Sequence, residues 1–496
     1  MIRRRFLGHS LGLAGLGLLP GWLRAQEMQH GLHAMEMPGT TQAATAILAP
    51  THALPAGIPL QPLPRLANLA RQAGIFRAEL VAAPLQRELL AGQPTTFWAY
   101  NASLPGPLIE AREGDRVEIR FINRLDQPST VHWHGLPVPP GEDGNPHDPV
   151  PPGGERTYRF DLPAGCAGTY WYHPHPHGDT AEQVFRGLAG AFIVRAADDP
   201  LAGLTERHLL LSDLKLNADG SIPPNSDSDW MNGREGQFVL VNGQHQPLIR
   251  LAGAERWRIW NACSARYLKL DLDGRRFSLV GSDGGLLEQP QDVGELLLAP
   301  AERVELVIQP DPRQPRLTLS ALPYDRRKMG SVPAETRLPL ATLEIAAGTP
   351  APLPQRLRSI PEQGPAGAQQ RVVFSEDMRM DNGRHSMDFL VNGRRFDMQR
   401  VDLRSQAGVV ELWEVFNDSH MDHPFHIHGC QFQVIEHELD GQKVPPAFRA
   451  WKDTVNLRPG ETVRLKLVQT FKGLRMLHCH ILEHENQGMM ATLEVV

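Results

Sequence analysis

The C-terminal segment 478-HCHILEHENQGMM-490 concentrates side chains that bind transition metals: His478, Cys479, His480, His484 and Met489. Successive side chains of a β-strand point to opposite faces, so a strand here would place His478 and His480 on one face and Cys479 on the other. The segment therefore predicts two metal sites that lie on either side of one strand. Other parts of the chain must supply the remaining ligands.

Three more motifs carry closely spaced histidines. They are 131-VHWHG-135 with His132 and His134, 171-WYHPHPHG-178 with His173 and His175, and 423-HPFHIHG-429 with His423, His426 and His428. A His-x-His pair on a strand presents both imidazoles on one face, and a facing pair can then enclose metal ions. Four such pairs (132/134, 173/175, 426/428 and 478/480) supply eight imidazoles. His147, His177 and His420 belong to no pair, and we interpret them as supporting or surface residues.

The cysteine decides which metal these ligands suit. Imidazole alone binds zinc, copper, iron or nickel. Two histidines and a thiolate with a weak axial methionine are typical of a blue-copper electron-transfer site, and His423, Cys479, His484 and Met489 form such a set. The other cysteines match no zinc pattern; Cys263 and Cys430 are expected to be core residues, and a disulfide at Cys166 is left open.

A threefold repeat indicates the elements that must position these side chains. The copies begin at Asn101, Asn242 and Asn392, and each runs through an apolar strand and a turn to an alternating strand that ends in Asn. This pattern predicts three related β-sandwich domains. We assign domain 1 to residues 66–197, domain 2 to 198–350, a Pro/Gly-rich linker to 351–370 and domain 3 to 371–496. Domain 2 lacks the paired histidines and is predicted to be a spacer.

Composition narrows the class of protein. The chain has 496 residues with 45 Gly and 43 Pro, which favours a turn-rich, mostly β protein. Its net charge of −6 argues against a nucleic-acid binder or a polybasic membrane binder. Beyond the N-terminus no apolar run is long enough to span a bilayer, so we expect no stable membrane insertion.

The N-terminus is typical of a targeting signal. Paired arginines within Arg3–Arg5 precede a short apolar stretch, which predicts a twin-arginine signal peptide over residues 1–25, with the export machinery as a partner and the periplasm as the destination. Residues 26–65 are rich in Met, His and Pro and are predicted to be a flexible lead-in. Five residues there either capture copper loosely or have no metal role: Met28, His30, His33, Met35 and Met37.

The four motifs resemble those of the three-domain multicopper oxidases, the family that includes laccases and bacterial cuprous oxidases. The resemblance covers about residues 66–496 and implies an all-β fold of three cupredoxin-like Greek-key β-sandwich domains with four copper ions. It implies a type 1 site at His423, Cys479 and His484 with Met489 axial, and a type 2 site at His132 and His426. It also implies two type 3 sites, one at His134, His173 and His480 and the other at His175, His428 and His478.

The resemblance also implies an activity. One-electron oxidation of phenols, aromatic amines or Cu⁺ at the type 1 site would be coupled to four-electron reduction of O₂ to water at the other three ions. Asp143 and Glu485 resemble the acids that deliver protons to that cluster. A role in copper tolerance and a monomeric state are further expectations. The alternative is a copper-binding or envelope protein of cupredoxin fold without significant oxidase activity.

The reducing substrate is less well indicated by the sequence. Domain 3 contains Met378, Met380, Met387 and Met398 among acidic residues, but no long Met-rich insert. Met421 and Asp422 directly precede His423 and are expected to be better placed to meet a substrate. We therefore predict a broad-specificity oxidase with some cuprous activity.

Overall fold

Six β-sheets, two for each successive third, form the fold of the described chain. The computed structural model describes residues 47–346, 348–381 and 384–496. The predicted signal peptide and the methionines and histidines at 28–37 lie outside the described residues. Within them, no helix is both long and apolar enough to cross a membrane. All four cysteines lie within the described range, and none forms a disulfide.

Domain 1 is a sandwich whose core lies between two four-stranded sheets. Its strands are β1 (Ile75–Leu90), β2 (Gln93–Tyr100), β3 (Gly106–Arg112), β4 (Arg116–Asn123), β5 (His132–His134), β6 (Glu155–Asp161), β7 (Gly168–His173) and β8 (Gly190–Arg195). The sheet orders are β2-β1-β4-β6 and β3-β8-β7-β5. Val117, Ile119 and Phe121 alternate with charged residues along β4 and are fully buried in the core. A 3-10 helix (Pro140–Glu142) and helix α1 (Thr180–Phe185) lie in the connections.

Domain 2 repeats the arrangement with a seven-stranded and a five-stranded sheet. Its strands are β9 (Thr205–Leu214), β10 (Phe238–Val241), β11 (Gln244–His245), β12 (Leu248–Leu251), β13 (Glu255–Asn261), β14 (Leu268–Leu272), β15 (Phe277–Ser282), β16 (Gly285–Val293), β17 (Glu295–Leu298), β18 (Arg303–Ile308), β19 (Arg316–Leu322) and β20 (Leu338–Ile345). The orders are β11-β10-β9-β13-β18-β15-β16 and β12-β20-β19-β14-β17. Helix α2 (Asp227–Asn232) begins with a capping box at Ser226, which accepts from the N–H of Asp229.

Domain 3 pairs a six-stranded sheet with a five-stranded one. Its strands are β21 (Ala368–Asp381), β22 (Arg384–Val391), β23 (Leu403–Ser405), β24 (Val410–Asp418), β25 (His423–Ile427), β26 (Phe432–Leu439), β27 (Gln442–Val444), β28 (Thr454–Leu457), β29 (Thr462–Val468), β30 (Gly473–Cys479) and β31 (Met490–Val495). The orders are β22-β21-β24-β29-β26-β27 and β23-β31-β30-β25-β28. Helix α3 (Leu482–Asn486) follows β30 directly.

The predicted repeat is visible in the strand pairing. In each domain the first strand pairs parallel with the strand that closes the repeat: β1 with β4, β9 with β13, and β21 with β24. The closing strand then pairs antiparallel with β6, β18 or β29. The prediction of an all-β fold with three sandwiches is confirmed.

The predicted flexible lead-in is wrong for its described part. Residues 47–65 run as an extended segment against domains 2 and 1. The N–H of Ala49 donates to Leu216 O (2.9 Å), and the N–H of Leu60 donates to Leu248 O (2.9 Å). Leu54 and Leu63 are buried, so this Pro-rich stretch is fixed by apolar contacts and backbone hydrogen bonds that its composition did not reveal.

Candidate functional site

Two strand pairs, one in domain 1 and one in domain 3, carry the predicted ligands. β5 pairs with β7 so that His132 lies opposite His173, and β25 pairs with β30 so that His426 lies opposite His478. All of the predicted histidine ligands, Cys479 and Met489 are fully buried. Since β30 alternates its faces, Cys479 points away from the side that His478 and His480 occupy.

The eight paired histidines converge from the two domains into one cluster. Their ligand nitrogens form three sets, each with its atoms within 4.8 Å of one another. The sets are His134, His173 and His480; His175, His428 and His478; and His132, His426 and His428. Nε2 of His478 lies 3.1 Å from Nε2 of His175 and 3.2 Å from Nε2 of His428.

The hydrogen bonds of these rings leave Nε2 of most of them free for a metal. The Nδ1–H groups of four rings donate to main-chain oxygens: His132 to Asp143 (2.9 Å), His173 to Pro174 (2.9 Å), His426 to Asp453 (2.8 Å) and His478 to Cys479 (3.0 Å). Nε2 of His132, His134, His173, His426 and His480 has no partner within the described residues. A buried unpaired nitrogen is costly, so the cluster fits bound metal ions better than it fits a packed core.

Burial also keeps these rings in the metal-binding form. Desolvation lowers the pKa of His134, His175 and His480 well below the ordinary value, and repulsion between neighbouring rings lowers it further. For His478 burial lowers the pKa to about 3. Neutral imidazoles are the form that ligates a metal.

A second set lies on the other face of β30. Nδ1 of His423 is 3.3 Å from Cys479 Sγ and 3.3 Å from Nδ1 of His484, so three donor atoms face one point. The outer nitrogens are anchored, because Nε2 of His484 donates to Met231 O (3.1 Å) and Nε2 of His423 lies 3.1 Å from Glu376 Oε1. Met489 is adjacent, and its main-chain oxygen accepts from the N–H of Cys479 (3.0 Å). This donor set fits copper.

Both predicted acids are buried against ligand rings. Asp143 Oδ2 lies 3.2 Å from Nδ1 of His428. Glu485 Oε2 lies 3.4 Å from Nδ1 of His478, and its Oε1 lies 3.6 Å from Nδ1 of His175. Burial raises the pKa of Glu485 to about 8, and the neighbouring Glu483 adds to this.

The expectation that Met421 and Asp422 meet a substrate is wrong. Met421 is fully buried, and Asp422 is 2% exposed. Asp422 Oδ2 accepts hydrogen bonds from Tyr324 Oη (2.6 Å) and Asn456 Nδ2 (2.7 Å). The position next to His423 therefore packs against domain 2 instead of facing solvent.

Sequence reasoning missed four side chains that support the ligands: Glu376, Asp453, Arg303 and Arg475. Glu376, Asp453 and Arg303 lie far along the chain from the histidines they approach, and Arg475 acts through Asp143, so no local motif marks these roles. A charged residue at a buried strand position, as at Arg303 in 303-RVELVI-308, is the one signal that points to such a role. His420, interpreted as a supporting or surface residue, places Nδ1 2.7 Å from Glu376 Oε2 and is about half exposed. His147 donates instead to Met398 O (3.0 Å), and His177 packs on Phe396.

Comparisons with known proteins agree with this site. Two family models, both described as multicopper oxidase, match residues 83–199 and 369–496. A multicopper oxidase of Staphylococcus aureus is 33% identical over 425 residues, covering 82% of this chain and 86% of the relative. The laccase of Bacillus subtilis is 28% identical, covering 81% and 90%.

Solved structures show the same relationship. A multicopper oxidase from Campylobacter jejuni, described as a metallo-oxidase, superposes with a TM-score of 0.88 at 46% identity. The match covers 91% of this chain and 98% of that one. The described chain carries each donor residue that the resemblance implied, in two clusters on either side of one strand. The chain belongs to the multicopper oxidase family and is a copper-dependent oxidase that uses O₂.

Proposed function

We propose that this oxidase acts on a metal ion, with Cu⁺ as the preferred electron donor and phenols as poorer donors. The overall reaction oxidises four Cu⁺ to Cu²⁺ while one O₂ and four protons become two waters. When bound, the copper ions of this family take single electrons from a donor and supply them to O₂. The protein's residues hold the ions, separate the two sites and control access.

The proposed ligands follow from the free donor atoms. His423, Cys479, His484 and Met489 would hold the type 1 ion, and His132 and His426 the type 2 ion. The type 3 ions would be held by two sets of three: His134, His173 and His480; and His175, His428 and His478. The unpartnered Nε2 atoms and the facing Nδ1 atoms of His423 and His484 support this assignment.

Two features of the chain would serve electron transfer between the sites and proton delivery to the histidine cluster. Cys479 lies between His478 and His480, so only a few covalent bonds separate the thiol from the imidazoles of the other cluster. Asp143 and Glu485 are proposed as the proton donors for O₂ reduction, because each carboxylate lies within 3.6 Å of a ring nitrogen of the cluster.

The proposal of a metal ion as electron donor rests on the surroundings of His423. The outer nitrogen of His423 is held 3.1 Å from one oxygen of Glu376, whose other oxygen lies 2.7 Å from the half-exposed His420. A carboxylate and an imidazole lead from the surface to the type 1 ligand, and both are good ligands for a small cation. An aromatic ring would not stack on the edge of His423, because that ring is fully buried. The description of the Campylobacter jejuni relative as a metallo-oxidase supports the same choice.

The cellular setting is proposed from the sequence. The twin-arginine signal over residues 1–25 supports export to the periplasm, where the mature chain would act as a monomer. There it would convert Cu⁺ to the less permeant Cu²⁺, which is the basis of the proposed role in copper tolerance.

The test compares O₂ uptake by copper-loaded protein with Cu⁺, Fe²⁺ and a methoxyphenol. We expect Cu⁺ to have the highest kcat/KM. Removing the partner of a metal-bound histidine changes activity by about 10–100-fold for any donor. Glu376→Gln should therefore lower kcat/KM for both donors, and more for Cu⁺, which also loses a proposed ligand on its path to His423. His420→Ala should raise KM for Cu⁺ and leave the methoxyphenol rate unchanged.

The matched control is Glu414→Gln, since Glu414 is a carboxylate of the same sheet that pairs with Arg464 away from the histidines. A methoxyphenol that outperforms Cu⁺ contradicts a metal-ion oxidase. Equal loss of both activities in Glu376→Gln contradicts the proposed cation path through Glu376, because the residue would then only shape the type 1 site.

A further inference from the structure

Domain 2 has no proposed copper ligand, yet one of its side chains reaches the histidine cluster. Arg303 is fully buried at the start of β18, and its Nη1 lies 3.5 Å from Nδ1 of His134. Both Nη atoms donate to the carboxylate of Asp453, with Nη1 2.6 Å from Oδ1. Nε donates to Thr169 O of domain 1 (2.8 Å), and Nη1 donates to Ala301 O of domain 2 (2.9 Å). One guanidinium therefore joins all three domains beside the cluster.

The partner of Arg303 contacts two of the histidines. The main-chain oxygen of Asp453 accepts from Nδ1 of His426 (2.8 Å), and its Oδ1 lies 3.5 Å from Nδ1 of His134. The carboxylate fits closely, because a Cβ at Gly135 would overlap Asp453 Oδ2. Gly135 also has φ +85°, a conformation that favours glycine. The local backbone thus makes room for this carboxylate.

A second aspartate shows the same arrangement around two other rings of the cluster. The main-chain oxygen of Asp143 accepts from Nδ1 of His132 (2.9 Å), and its Oδ2 lies 3.2 Å from Nδ1 of His428. The buried Arg475 donates to that Oδ2 (3.0 Å). In each case a main-chain oxygen accepts from one ring, a carboxylate oxygen lies within 3.5 Å of a nitrogen of a second ring, and an arginine fixes the carboxylate. The rings held by the main chain are His132 and His426, the proposed type 2 pair.

We propose that Asp453 and Arg303 are positioning residues for His426 and His134, so that domain 2 completes the oxygen-reducing site. Without Arg303 the buried carboxylate of Asp453 would lack its compensating charge and would be driven to reorient. Reorientation removes the carboxylate oxygen beside Nδ1 of His134 and disturbs the residue whose main-chain oxygen holds His426. The inference rests on the ligand assignment proposed above and is independent of which donor supplies the electrons.

The test uses Arg303→Met, Arg303→Lys and Asp453→Asn in the full copper-loaded chain. The readouts are copper per chain, the type 2 electron paramagnetic resonance signal, the blue absorption of the type 1 site, and kcat and KM for O₂. Arg256→Met is the matched control, because Arg256 is an equally buried domain 2 arginine that pairs with Glu305 and Asp199 instead.

Arg303→Met and Asp453→Asn should lose or alter the type 2 signal and lower kcat about 10–100-fold, the range for a group that supports a metal-bound histidine. The blue absorption should remain, since Cys479 lies on the other face of β30. Arg303→Lys keeps the positive charge but loses the bidentate contact with the Asp453 carboxylate. It should therefore retain more of the type 2 signal than Arg303→Met. Arg256→Met should keep both signals.

The proposal would be overturned if Asp453→Asn and Arg303→Lys both kept the wild-type values of the type 2 signal, the copper content and kcat. This holds even if Arg303→Met does not accumulate as folded protein. Equal loss in Arg256→Met would overturn it as well, since the effect would then be general destabilisation. An error in the ligand assignment would appear differently, as a wild-type chain that lacks the full set of copper ions.

Discussion

At the scale of residues, the nitrogen that each histidine ring offers to a metal depends on which nitrogen its neighbours hydrogen-bond. In the eight-histidine cluster, main-chain oxygens take Nδ1 of several rings and leave Nε2 free. At the other site the pattern reverses, because Glu376 and Met231 O take Nε2 of His423 and His484 and leave Nδ1 free. These hydrogen bonds select the tautomer before any metal arrives.

Replacing Cys479 with serine should remove one site and spare the other. The type 1 set loses its thiolate, while His478 and His480 keep their positions on the opposite face of β30. We expect copper to fall from four to three ions per chain, the blue absorption to vanish and donor-dependent O₂ uptake to drop to that of copper-free protein. Metal analysis and visible spectroscopy check this. A variant that stays blue would contradict the assignment.

The ligand residues were predictable because their motifs are local. His132 and His134, or His478 and Cys479, are neighbours in sequence, and alternation along a strand determines their faces. Glu376, Asp453 and Arg303 were not predictable, since tertiary packing alone brings them to histidines 27 or more residues away. The same limit explains the error at Asp422, whose adjacency to His423 does not determine where its side chain points.

At the scale of elements, one short turn holds Asp143 in place. Asp143 follows the 3-10 helix Pro140–Glu142, and Gly144 then turns the chain with φ +70°. A Cβ at Gly144 would collide with the carbonyl of Val131, immediately before β5. The turn and the His132 strand therefore pack backbone against backbone, which sets the reach of Asp143.

Gly144→Ala should disturb the cluster through this turn. The strained φ alone costs about 1–3 kcal/mol, and the collision with Val131 adds to it. We expect lower stability of the copper-free protein and a loss of type 2 copper, measured by thermal unfolding and metal analysis. Gly141→Ala is the control, because a Cβ there meets nothing within 4 Å. Equal behaviour of the two variants would show that the turn does not position Asp143.

At the scale of the whole molecule, the histidine cluster bridges domains 1 and 3. Domain 2 contributes Arg303 beside that cluster and the main-chain oxygen of Met231 beside His484 of the other site. The sandwich folds themselves follow from the period-two pattern and the repeat, and they were predictable. The packing between domains was not, because it depends on buried charges such as Arg303 and on the extended path of residues 47–65.

Removing copper should therefore loosen the molecule without unfolding it. Each domain has its own apolar core, but the cluster loses the ions that hold two domains together. Ligand present at 1,000 times its dissociation constant stabilises the folded state by about 4 kcal/mol, so copper should raise Tm clearly. Calorimetry of copper-free and copper-loaded protein measures the shift. Identical Tm values would contradict a metal cluster shared between domains.

The proposed Cu⁺ oxidase activity is tested most directly by the ratio of Cu⁺ oxidised to O₂ consumed by the copper-loaded wild-type protein. The Cys479→Ser variant serves as the background for spontaneous oxidation. We expect four Cu⁺ per O₂ with no hydrogen peroxide, at a rate well above that background and above the rate with a methoxyphenol. A ratio of two with peroxide released, or uptake no faster than the background, would contradict it.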